Sequence, residues 1–84
     1  MRIDIETGIV TGGPPPLRHA RTKGGKYSIC VYQDAPQRFS VRSFVHENQD
    51  FAATSFRRLD DALRFFTTYI ADSKEIDGIN FQEV

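Results

Sequence analysis

Between Lys26 and Ile70 the chain alternates apolar and polar positions three times and then changes period. Tyr27-Ser28-Ile29-Cys30-Val31-Tyr32 sets Tyr27, Ile29 and Val31 against Ser28, Cys30 and Tyr32, the period of two expected of a strand rich in β-branched and aromatic residues. Arg38 to His46 repeats the pattern, with Phe39, Val41, Ser43 and Val45 opposite Ser40, Arg42, Phe44 and His46. Asp34-Ala35-Pro36-Gln37 reads as the turn between these strands. Glu47-Asn48-Gln49-Asp50 is a second turn, after which Phe51 to Phe56 returns as a third antiparallel strand.

From Leu59 the period becomes helical. Leu59, Ala62, Leu63, Phe66, Tyr69 and Ile70 share one stripe, and Asp60, Asp61, Arg64, Thr67 and Thr68 occupy the other side. Asp60 and Asp61 lie in the first turn, where negative charge complements the exposed N–H groups of a helix start. The pattern predicts a helix from Leu59 to Ala71, ended by Asp72-Ser73, with Gly78 as a turn before a short strand containing Ile79 and Phe81, with Val84 at its end. At the other terminus Arg2-Ile3-Asp4-Ile5-Glu6 alternates as a short strand, broken by Gly8, Gly12, Gly13 and Pro14-Pro15-Pro16. Residues 11–25 hold four glycines, three prolines and a basic cluster of Arg18, Arg21 and Lys23 around His19, and read as a flexible or polyproline-like loop.

An apolar helix stripe covers one face of a sheet. The expected fold class is therefore α+β, a two-layer antiparallel sheet of three to five strands with one helix packed on one face. With Tyr27, Ile29, Val31, Phe39, Val41 and Val45 beneath the helix, Cys30, Tyr32, Arg42, Phe44 and His46 fall on the opposite face. Tyr32, Arg42 and Phe44, with Arg38 at the rim, then form the candidate partner-binding surface, because Tyr and Arg anchors dominate interface energetics. The structural alternative for Tyr32 and Phe44 is a cross-strand pair, or packing beneath the Pro-rich loop. Arg18, Arg21 and Lys23 make a secondary basic candidate.

Eighty-four residues, 39% of them apolar, suffice for one domain spanning residues 1–84, but a chain this short buries only about 60–65% of its unfolded surface. Homodimerisation would be a natural supplement to so small a core. Cys30 is the sole cysteine, which excludes an intrachain disulfide and fits a reducing cytoplasm. No apolar run approaches the ~20 residues of a membrane span, and the N-terminus lacks the features of a signal peptide. The net charge of zero conceals asymmetry: seven basic against three acidic side chains in residues 1–42, and four against eight in residues 43–84. Such a +4/−4 division can steer a charged partner.

No catalytic, cofactor or metal constellation is legible. His19 and His46 lie near no nucleophile in a recognisable pattern, two histidines and one cysteine lack zinc spacing, and Gly24-Gly25-Lys26 is not a phosphate loop. The expectation is a non-enzymatic binding protein. A three-stranded sheet followed by a helix, with Arg38 and Arg42 on one hairpin, Phe56 shortly before the helix and Ala62 within it, resembles the small β-sheet DNA-binding domains of phage integrases and plant AP2 factors. That resemblance implies phosphate contacts and makes DNA binding the alternative reading, against which zero net charge argues. Arg38-Phe39-Ser40-Val41-Arg42-Ser43-Phe44 is similar to an RNA-recognition strand, yet lacks that motif's glycine.

Ile29-Cys30-Val31-Tyr32, a turn, the Arg42 strand, the polar turn Glu47 to Asp50, Phe56, and a helix carrying Phe65-Phe66 together resemble a small phage anti-CRISPR family, the type I-F inhibitors that coat a surveillance complex. Among that family's interface residues, the tyrosine falling on Tyr32 is retained. Ser43-Phe44 stands where the family has a glutamate, and the Pro-rich loop has no equivalent. The resemblance implies a phage-encoded inhibitor that occupies the surface of a host defence complex. A protein is accordingly the expected partner.

Overall fold

The computed structural model describes residues 2–3, 10–11 and 15–84. Two short strands, β1 (Arg2–Ile3) and β2 (Val10–Thr11), pair antiparallel as a separate two-stranded sheet. The main sheet comprises β3 (Arg18–Thr22), β4 (Tyr27–Ala35), β5 (Arg38–Val45), β6 (Asp50–Phe56) and β7 (Phe81–Glu83), and α1 (Leu59–Asp77) lies between the last two in sequence. All of its pairings are antiparallel, in the order β6-β5-β4-β3-β7. The chain meanders from β3 to β6, and α1 then returns it to the far edge. The α+β architecture with one antiparallel sheet and one helix is as the sequence predicts.

The faces follow the alternation. Ala20, Ile29, Val31, Phe39 and Val41 form the core with Ala62 and Phe66 of the helix, and Phe56, Leu63, Tyr69, Ile70 and Phe81 close around it. Residues directly opposite in neighbouring strands share a face. Tyr27↔Val45, Ile29↔Ser43, Val31↔Val41 and Gln33↔Phe39 therefore lie under the helix, and Ser28↔Phe44, Cys30↔Arg42 and Tyr32↔Ser40 lie on the other side. The β4–β5 register shifts between Gln33 and Ala35, making Asp34 the extra residue of a bulge beside the Pro36-Gln37 turn.

Two expectations are corrected. Residues 11–25 are not one loop, because Thr11 belongs to β2 and Arg18–Thr22 is a strand held between β4 and β7. Its Arg-His-Ala-Arg-Thr sequence carries little β-propensity, but Ala20 is fully buried in the core, and pairing on both sides satisfies the backbone. The helix also passes Asp72-Ser73 and runs to Asp77. Ser73 continues the buried stripe, and tertiary packing outweighs the modest helix propensities of Asp and Ser. The predicted N-terminal strand is present at Arg2–Ile3, and Asp4 to Glu6 lie outside the described residues.

Candidate functional site

The expected surface is assembled on the predicted face but is not open to solvent. Arg42 stacks on Tyr32 with its guanidinium carbon 4.5 Å from the ring centroid, bonds the Ser40 hydroxyl at 3.1 Å and pairs with Asp34 at 2.7 Å. Phe44 meets His46 edge-on, ring centroids 4.7 Å apart. Tyr32 is 3% exposed, Phe44 6% and Cys30 2%. The expectation that Tyr32 and Phe44 are exposed is thus corrected, whereas Arg42 keeps part of its side chain in solvent. Alternation determines the side of the sheet a residue occupies, not whether water reaches that side, and two aromatic rings beside a thiol gain by burial. Arg38 remains exposed at the start of β5.

The basic candidates are separated by strand geometry. Arg18 projects on the helix face, where it pairs with Glu83 and lies 5.4 Å from the Phe66 ring centroid. Arg21 is on the opposite face, and Lys23 is in the turn after β3. Lys26 pairs with Glu47 at 3.1 Å, which raises its pKa chiefly through that hydrogen bond and then through the carboxylate charge. Arg21, Lys23 and Lys26 line one open pocket together with His46 and Glu47, whereas Arg18 is turned to the helix face.

Ser28 and Cys30 are both buried. The structure brings Ser28 Oγ within 3.3 Å of His46 Nε2, a neighbourhood invisible in the sequence, yet Ser28 is 2% exposed and offers an incoming group no approach. Burial pushes the Cys30 thiol up to about 11, against a hydrogen bond with Tyr32 and the charge of Arg42, both of which lower it. The thiol is therefore protonated at neutral pH and weakly nucleophilic. Among the described residues, no three His, Cys, Asp or Glu side chains cluster as metal ligands, and no helix is long and apolar enough to cross a membrane.

The accessible feature is a sheet edge that sequence reading did not single out. β6 flanks only β5, leaving its outer backbone unpaired by the sheet. Its register to β5 is regular from Phe39↔Phe56 to Val45↔Asp50, without a bulge. Every residue from Asp50 to Ser55 is exposed, including Phe51 at 45%. Phe51-Ala52-Ala53-Thr54-Ser55-Phe56 contains no charge and no proline, so it lacks the usual devices that blunt an edge. The opposite edge differs: β7 has three residues and ends in the ion-paired Glu83.

Beside β6 on the helix face, Phe56, Asp61, Arg64, Phe65 and Thr68 line an open groove. Phe65 is 38% exposed and sits 5.5 Å from the Phe56 ring, and the aromatic series continues through Tyr69 to Phe81. Phe65, legible in the sequence only as half of the Phe65-Phe66 pair, lies off the core stripe. An exposed aromatic between the helix and an open edge was the available signal. An unpaired backbone and an adjacent apolar groove together can receive an extended peptide and one large side chain. Comparison with protein-family models, curated proteins and solved structures finds no match to this chain.

Proposed function

We propose that the chain is a small non-enzymatic protein-binding module that takes an extended protein segment onto β6, with the Phe56–Phe65 groove receiving a side chain. The observation that carries this reading is the regular, uncharged interior of an edge strand exposed from Asp50 to Ser55. Main-chain hydrogen bonds along such an edge supply affinity, and alternate side-chain sites supply selectivity. The anti-CRISPR resemblance gives the reading a specific form, a phage inhibitor working by occupation of a host defence complex in the cytoplasm. Tyr32, which carries that resemblance, is 3% exposed, so occupation would run through β6 instead. DNA binding has less support, since Arg18 and Arg42 are committed to carboxylates.

The test compares wild type with Ala53→Glu in affinity capture from host lysate after nuclease treatment. Ala53 is exposed and faces Arg42 across β5–β6, so the new carboxylate is compatible with the fold while placing charge on the edge. Wild type should retain discrete proteins that the variant loses. Equal retention by both, or loss of all binding on nuclease treatment, would overturn the proposal.

A further inference from the structure

We infer that in the free protein β6 is held by β6 of a second copy of this chain, paired antiparallel about a two-fold axis at Ala53, and that another protein binding the edge displaces that copy. This inference rests on the strand-addition reading and names what covers the edge before a partner is met. A two-fold axis perpendicular to the sheet keeps each face on its own side. Phe51, Ala53 and Ser55 of both copies then share the face away from the helices, and Ala52 and Thr54 share the helix face. Phe51 meets Ser55, Ala52 meets Thr54, and Ala53 meets itself, so the large side chain faces a small one and no like charges oppose each other within the seam.

Charge at the strand ends selects this direction. Asp50 starts β6 and Arg57 follows its end, with Glu47, paired to Lys26, and Arg58, paired to Asp60, just beyond them. An antiparallel copy sets the acidic end of one strand beside the basic end of the other at both ends of the seam, whereas a parallel copy would set like beside like. The assembly also closes. The short β7 with its ion-paired Glu83 is a poor acceptor for β6, so pairing ends at the dimer instead of propagating into a filament. Two five-stranded sheets become one continuous sheet with both helices on the same side.

Sedimentation velocity and light scattering on the full chain across a concentration series test this directly. Wild type should move from monomer to dimer as concentration rises. Ala53→Glu alone and Ala53→Lys alone should each weaken dimerisation at least about tenfold, because each places like charges opposite across the axis. Mixing the two variants should restore a dimer, glutamate facing lysine. Hydrogen exchange on wild type provides a measurement independent of substitution: protection of β6 amides should rise with concentration while that of β7 does not.

A wild type that stays monomeric throughout overturns the inference. So does a wild-type dimer that both single variants preserve, or a mixture that stays monomeric where wild type dimerises. These outcomes separate from failure of the broader reading. A monomeric wild type whose capture of another protein is still lost in Ala53→Glu removes the second copy alone, whereas unchanged capture removes strand addition to that protein.

Discussion

Phe66 is 1% exposed at the centre of the helix–sheet core and Phe44 is 6% exposed on the face the helix does not cover. Phe66→Ala and Phe44→Ala should each destabilise the chain by about 3–5 kcal/mol, read from urea melts, as buried Phe truncations do. A loss below about 0.5 kcal/mol would place the residue outside a packed core. This makes Phe44 a packing residue and not the binding anchor its position suggests. Cys30 gives a pH signature. Its folded thiol is raised from an ordinary 9.0 to about 11, chiefly by burial, so the folded state holds its proton more tightly. The associated stability is complete below about pH 9 and is lost as pH rises through about 11. The stability difference between wild type and Cys30→Ala should therefore shrink across that window, and urea midpoints measured along it will show whether it does.

At the scale of elements, the helix shows how a local rule yields to its surroundings. Asp72-Ser73 resembles a stop, yet Ser73 is on the buried stripe and the helix continues to Asp77, where Gly78 adopts φ +68°. The Gly78 and Ile79 amides donate to the Lys74 and Ser73 carbonyls, turning the chain toward β7. A side chain at Gly78 would meet no atom within 4 Å, so its cost is the left-handed backbone alone. Gly78→Ala should accordingly lower stability by about 1 kcal/mol and Gly78→Asn by less, measured by thermal or urea unfolding. β3 illustrates the converse. Its residues carry weak strand preference, and its place between β4 and β7 is a property of pairing partners far away in sequence.

For the molecule as a whole, residue-to-residue periodicity was sufficient for the strands from Tyr27 to Phe56, the start and stripe of the helix, and the division of side chains between sheet faces. These are local consequences of alternation and helical pitch, which a chain carries in its order of residues. Two larger facts depend on distant segments meeting: β7 docks beside β3 and leaves β6 an edge, and Arg18 finds Glu83. Tyr32 and Phe44 are withdrawn from water on a face that alternation alone leaves open. The candidate site moved from that face to β6 for the same reason. Whether a strand is central or marginal, and whether an aromatic is core or surface, are properties of its neighbours in space, whereas the tendency to be a strand or a helix stripe resides in the order of the residues themselves.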